Sequence, residues 1–269
     1  MSIIVYADGV FVGDPAQAKV SLFDRGYLLG DGIFETIRLT GGRAVRLDAH
    51  LDRLWFGASV TGLVPREDRS QIAQLAQQIA THVASIEEVS LRVTISRGEG
   101  PRGIGIEGYD RPLLTIIAQP FPTWPRTLDV SLVVPPRMPP FDPRFKTASN
   151  MGTIIARRTI TTREGLQTAL DGQLVCGLVS NILLVHGNTL STPHLDSGCL
   201  PGVTRAAALT AAPWLGLAPV ERRVEVEDLW TADEVMLSSA LMGVVAVSSI
   251  DGREVRMGPW AQRLDRSVA

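Results

Sequence analysis

Lysine is nearly absent from this sequence. Among 26 basic residues only Lys19 and Lys146 are lysines. Arginine stays protonated and suits anion clamps and fixed ion pairs, so it cannot serve as a neutral amine. If the protein performs amine chemistry, few residues can carry it, and Lys146 sits in "PRFKTASN" (143–150) after a proline-rich turn. Cysteine is as scarce: Cys176 and Cys199 make neither a disulfide framework nor a zinc quartet. The four histidines, His50, His82, His186 and His194, have no paired-ligand spacing. No apolar run is long enough to cross a bilayer, and "MSIIVYADGVFVGD" breaks its apolar stretch at Asp8-Gly9, which argues against a signal peptide. A net charge of −2 gives no basic surface for nucleic acid or membrane. The expectation is a cytoplasmic, metal-free protein acting on a small molecule.

With 269 residues, 45% of them hydrophobic and 20% charged, the chain suits one large domain or two smaller ones. "IIVYADG" and "VFVGD" read as a hairpin closed by Asp8-Gly9, and "IFETIRLTGGRAVRL" as two strands around Gly41-Gly42. Residues 48–63 show helical spacing with Asp48 as cap, and 69–86 read as a second helix. "VSLRVTISRG" and "PLLTIIAQP" read as strands, which makes an α+β N-terminal half over 1–118. "QPFPTWP" (119–125) holds three prolines and marks a linker over 119–126. The remainder, 127–269, opens with the strand "TLDVSLVV" and a second proline-rich turn. It continues with a helix from about Thr147 to Arg163, two strands about His186-Gly187-Asn188, a helix from Val203 to Ala212, and strands near 218–226 and 234–249. It reads as the larger α/β domain and carries Lys146.

Four stretches form a chemical set. In "LPGVTR" (200–205) a Pro-Gly turn precedes a helix whose first N–H groups, at Val203 and Thr204, and the Thr204 hydroxyl can cup an anion. "HLDRL" puts His50 and Arg53 on a helix, where Arg53 can clamp a phosphate. "YLLGDGIFETIR" (27–38) leads into a strand with Phe34 and Thr36 on one side and Glu35 on the other. The fourth is Lys146.

Together with "SRGEGPRG", "VSNILLV", "LSTP" and "ADEVMLSSALMGVVAV", these motifs resemble the class IV aminotransferase superfamily. This is pyridoxal 5'-phosphate (PLP) fold type IV, a two-domain, D-amino acid aminotransferase-like fold with the smaller domain N-terminal. The resemblance implies PLP as cofactor, Lys146 as the lysine that binds its aldehyde, and a homodimer. Arg53 with Val203, Thr204 and the Ser239 loop would hold the phosphate. A dianion of that kind wants a guanidinium fork and several N–H donors.

One departure stands out. Most members of the family carry a glutamate five residues before the asparagine of the "SNIL" motif, where it pairs with the pyridine nitrogen. Counting back from Asn181 gives Cys176, and Gly172–Asn181 holds no carboxylate. A thiol without a cationic partner should stay neutral and can share only a weak hydrogen bond. That weakens the cofactor as an electron sink and penalises transamination more than elimination; otherwise another acid reaches the nitrogen, or activity is reduced or lost. "SRGEGPRG" and Ser239-Ala240-Leu241-Met242 look like 4-amino-4-deoxychorismate lyase. By that resemblance Phe34, Arg97, Arg102, Ala240 and Leu241 would meet the substrate, and Thr36 would lie near the reacting carbon. The reading is elimination of pyruvate to give 4-aminobenzoate, a folate-pathway step. The alternative is an aminotransferase acting on D-amino acids, branched-chain acids or (R)-amines. Ile104, where a D-amino acid aminotransferase has histidine, counts against the first of these.

Overall fold

The computed structural model describes residues 3–121, 123–134, 136–137 and 142–268. The proline-rich turn expected after "TLDVSLVV" falls largely on 135 and 138–141, outside the described residues. The chain forms two compact units, 1–123 with 145–149, and 124–144 with 150–269.

The first unit contains strands β1 (Ile4–Ala7), β2 (Val10–Val12), β3 (Gly32–Thr40), β4 (Arg43–Ala44), β5 (Val89–Ser96) and β6 (Leu113–Pro120), with helices α1 (Arg25–Leu29), α2 (Leu47–Thr61) and α3 (Arg69–His82). Its antiparallel sheet runs β2-β1-β6-β5-β3-β4. Asp8 (φ 47°) and Gly9 (φ 85°) both take the left-handed backbone that a tight hairpin turn needs. In β3, Ile33, Ile37 and Leu39 are sealed into a core with Leu51 and Leu54 of α2 and Ile72 and Ile79 of α3. A capping box of Asp68 and Gln71 starts α3. Asp48 does not cap α2: the chain enters through Arg46 in a left-handed conformation, and Asp48 lies inside the first turn, where it complements the helix dipole.

The structure corrects the expected boundaries around Lys146. β6 continues through Pro120, paired with Val89, so the first part of the expected linker is strand. Lys146 belongs to the first unit and not to the C-terminal domain, and no helix begins at Thr147. The segment 146–148 instead pairs with β3: Phe34 N donates to Lys146 O at 3.1 Å and Ala148 N to Gly32 O at 2.8 Å. The helix begins later, as α4 (Met151–Arg157).

The second unit adds β7 (Thr127–Leu132), β8 (Glu164–Thr168), β9 (Leu174–Gly177), β10 (Asn181–His186), β11 (Thr189–Pro193), β12 (Ala218–Arg222), β13 (Glu234–Ser239), β14 (Gly243–Ile250) and β15 (Arg253–Glu254). Its remaining helices are α5 (Val203–Ala211), α6 (Asp228–Thr231) and α7 (Trp260–Val268). The strand order is β12-β11-β10-β13-β14-β7-β8-β9, with β15 on β14. Alternation along the central strands feeds two cores. Ile182, Leu184, Val235 and Leu237 face one side; Leu183, Val185, Met236 and Val244 face the other, under Ala208 of α5 and Leu264 of α7.

Helix α7 is held from a distance. Buried Glu234 accepts the N–H groups of Trp260 (2.7 Å) and Ala261 (3.1 Å), satisfying donors that a helix start leaves unpaired. A Cβ on Gly258 would come within 2.6 Å of the same carboxylate. Glu234→Ala should therefore lower stability by about 1–3 kcal/mol, read as an earlier midpoint in thermal or urea unfolding, and should expose α7 first in amide exchange.

Candidate active site

On the first unit, the site is organised by the two faces of β3. Glu35 lies on the face covered by α2 and is fully buried. His50 and Arg53, one turn apart on α2, converge on it. Arg53 Nε donates to Glu35 Oε1 at 2.6 Å and Nη2 to Oε2 at 2.8 Å, while His50 Nδ1 lies 2.7 Å from Oε2. Burial alone would raise the Glu35 pKa, but hydrogen bonds and charge from Arg53 and His50 outweigh it and bring it to about 2. Glu35 thus fixes the plane of the guanidinium expected to meet a phosphate.

Phe34 and Thr36 occupy the opposite face. Lys146, half-buried, holds its amine 5.4 Å from the centre of the Phe34 ring. Phe145 anchors that segment: its side chain is buried, and a Cβ on Gly57 of α2 would come within 2.9 Å of its ring. A cation not anticipated from sequence completes this face. Arg92 of β5 stacks its guanidinium 3.7 Å from the Phe34 ring centre and bonds Thr94 Oγ1 at 3.2 Å. Desolvation lowers its pKa, and among the described residues no carboxylate forms an ion pair with it. Its position was legible: in "VSLRVTIS" the alternation turns Val89, Leu91, Val93 and Ile95 inward and Arg92 out.

Arg97 behaves differently from expectation. It is buried and spent on Asp31 (2.7 and 3.1 Å) and on the Thr61 carbonyl (2.9 Å), tying β3 to the end of α2. Arg102 lies exposed in the loop that follows β5. That loop is held by Arg25, which pairs with Asp31 at 2.8 Å, stacks on Tyr109 and donates to the Gly105 carbonyl.

On the second unit, Cys176 lies near the end of β9 and Asn181 opens β10, across the turn that Gly177 N closes on Ser180 O at 2.8 Å. Asn181 Nδ2 donates to Leu200 O at 2.9 Å. A Cβ on Gly202 would lie 1.9 Å from Asn181 Oδ1, so only glycine fits at the entry of α5. Gly202 offers no side-chain cap. Among the described residues no protein acceptor meets the N–H groups of Val203 and Thr204. Ser238, opposite Asn181 in register and on the face covered by α5, has a buried hydroxyl with no partner among the described residues. Unmet donors and an orphaned hydroxyl around a helix start suit a bound phosphate. Ser239 accepts the Met242 N–H at 3.3 Å and shapes the turn through Ala240 and Leu241. Arg205, one residue beyond Thr204, is committed to Glu221 and the Pro193 carbonyl.

Glu164 does not replace the missing glutamate. It is fully buried and its oxygens accept from Gly165 N (3.0 Å), Leu178 N (2.6 Å), Val179 N (3.4 Å) and Ser180 Oγ (3.3 Å). Burial pushes its pKa up, against those hydrogen bonds. It clasps the turn after Cys176.

The Glu35 cluster sets an acid limit. Its folded pKa lies below the ordinary 4.5, so its stabilisation is complete above pH 4.5 and drains away as pH falls toward about 2. Glu35→Gln should flatten the stability–pH curve in that window. Glu35→Ala, which strands the Arg53 charge, should cost about 3–5 kcal/mol by denaturant titration at neutral pH.

The class IV amino-transferase family model matches residues 32–250. Over 260 residues the chain is 31% identical to a Methanocaldococcus jannaschii protein described provisionally as a branched-chain-amino-acid aminotransferase, covering 93% of this chain and 89% of that one. It is 28% identical over 265 residues to the aminodeoxychorismate lyase of Bacillus subtilis, covering 95% and 88%. The solved 4-amino-4-deoxychorismate lyase of Pseudomonas aeruginosa superposes with a TM-score of 0.84 at 26% identity, covering 98% of this chain and 97% of that one. The chain belongs to the class IV aminotransferase family, with the mixed α/β fold and the pyridoxal 5'-phosphate dependence of that family.

Proposed function

We propose that the protein is a lyase that eliminates pyruvate from 4-amino-4-deoxychorismate to give 4-aminobenzoate. The observation that carries this reading is Arg92, a desolvated guanidinium without a carboxylate partner among the described residues, stacked on the same Phe34 ring that Lys146 approaches. A cation so placed calls for an anionic substrate, and the proposed substrate carries two carboxylates. Arg92 would take one of them and Arg102 the other. Phe34, Ala240 and Leu241 would pack against the ring.

Lys146 would bind the cofactor aldehyde, and Arg53, the N–H groups of Val203 and Thr204, and the hydroxyls of Thr204, Ser238 and Ser239 its phosphate. When bound, the cofactor supplies an electron sink for the carbon that carries the substrate amine. Lys146 Nζ would take the proton lost from the ring carbon and return it to the methylene carbon of the departing enolpyruvyl group, which thereby becomes pyruvate, and Thr36 would hold that amine in line. The carbon–oxygen bond to the enolpyruvyl group breaks, pyruvate leaves, and the ring becomes aromatic. Aromatisation supplies much of the driving force, so the reaction tolerates a weak sink.

The 31% identity to an archaeal protein named for branched-chain transamination supports a second reading, an aminotransferase. A homodimer suits either. Leu22, Phe23, Tyr27, Leu28 and Leu29 leave an apolar patch around α1 open, which a second copy would cover.

Under the first reading, purified protein releases pyruvate from 4-amino-4-deoxychorismate without any added 2-oxo acid. Lys146→Ala should lose this activity and the visible cofactor band together. Arg92→Ala should raise KM about 10- to 100-fold, the cost of a charge-assisted hydrogen bond, with less change in kcat. Turnover only with an amino donor and a 2-oxo acid would establish the aminotransferase instead.

A further inference from the structure

The departure at Cys176 has a structural partner. β8 and β9 pair antiparallel with Gln167 directly opposite Cys176, so the two side chains share one face of the sheet. Both are buried, Gln167 at 4% exposure and Cys176 at 8%. The thiol lies 3.9 Å from Gln167 Oε1 and can donate to it. That orientation turns the Gln167 Nε2 hydrogens away from the thiol. Nε2 makes no hydrogen bond among the described residues. The carboxylate on the same strand, Glu164, has its oxygens engaged by the 177–180 turn.

We propose that Gln167 and Cys176 form a neutral pair that receives the pyridine nitrogen, with the Gln167 carboxamide donating an N–H to an unprotonated ring. The inference rests on the PLP reading of the preceding subsection and deepens it. A pyridine lone pair accepts a hydrogen bond only when it carries no proton, and a donor aimed at it stabilises that neutral form. A carboxylate at position 176 would do the reverse, by pairing with the pyridinium. Position 176 therefore removes the charge, and position 167 satisfies the nitrogen that the missing glutamate leaves behind. Gln167 acts on the reacting carbon only through the ring, so its role is electronic and positional.

The test loads the protein with PLP labelled with nitrogen-15 in the ring and records its nitrogen NMR signal. In the wild type the shift should be that of unprotonated, hydrogen-bonded pyridine, and it should stay so across the pH range in which the protein is folded. Gln167→Leu should move the shift toward pyridine without a hydrogen bond and weaken PLP binding about 3- to 10-fold. Cys176→Glu should convert the signal to that of a protonated ring. Gln167→Glu, which sets a carboxylate on the neighbouring strand, serves the same purpose where Cys176→Glu fails to fold. A protonated ring in the wild type, or a shift indifferent to Gln167→Leu, overturns the proposal. Borohydride reduction followed by mass analysis separates the two levels. Cofactor trapped on Lys146 with a protonated ring defeats this inference alone, whereas no trapped cofactor defeats the PLP reading and the inference with it.

Discussion

A lysine amine can be placed only as well as the backbone that carries it. Lys146 is carried by two main-chain hydrogen bonds to β3, one on either side of Ile33. The side chain has four rotatable bonds, and fixing it costs up to about 2 kcal/mol of rotamer entropy. Strand pairing removes the backbone part of that search before any ligand arrives. The neighbouring Phe145 drives its ring into the core against Gly57 and, edge-on, against Phe56 at 6.2 Å. Helix α2, which supplies that socket, also carries His50 and Arg53. One packing contact therefore sets the register of the amine and the guanidinium relative to each other.

The two faces of β3 keep separate electrostatic accounts. Toward α2, the charge is closed: Glu35 is buried but matched by Arg53 and His50. Such a cluster is weak evidence for stability, because apolar residues of similar volume often do as well. Its consequence is geometric, since a guanidinium gripped at Nε and Nη2 has no freedom left in its plane. On the other face the charge is left open, with Arg92 desolvated over Phe34 and balanced by no carboxylate among the described residues. A fold that closes one cation and leaves another open separates scaffold from binding surface. Arg97 falls on the scaffold side for the same reason: Asp31 is within reach, and a buried guanidinium takes the carboxylate it can find.

Much of this was readable in the sequence, and the misses have physical causes. The Asp8-Gly9 hairpin, β3 and helices α2 and α5 follow from turn chemistry and periodicity, and the open start of α5 from its Pro-Gly entry. The place of Lys146 did not follow. "FKTASN" precedes a real helix, and helical spacing cannot reveal that 146–148 first pairs with a strand a hundred residues earlier. α7 depends on Glu234, which is distant in sequence, so no local cap announces it. Arg92 was hidden because sequence shows which arginines face outward but not which lack an acid. Gln167 was hidden because it matters only through its register with Cys176, and a bulge next to it in β8 obscures the alternation.

That register bears on the choice of chemistry. A buried carboxylate paired with a pyridinium draws electrons strongly, but it carries the desolvation cost of two charges. A thiol and a carboxamide carry none of that cost and draw correspondingly less. Transamination must pass electrons into the ring and recover them, so its barrier rises directly as the sink weakens. Elimination drains them through a leaving group, and in the proposed reaction the departure is coupled to formation of an aromatic ring. The neutral pair at positions 167 and 176 and the open cation at 92 therefore point the same way. Under the proposed reading, the demand on the cofactor falls and the demand on the substrate rises, since the substrate must bring both the anionic handle and the driving force.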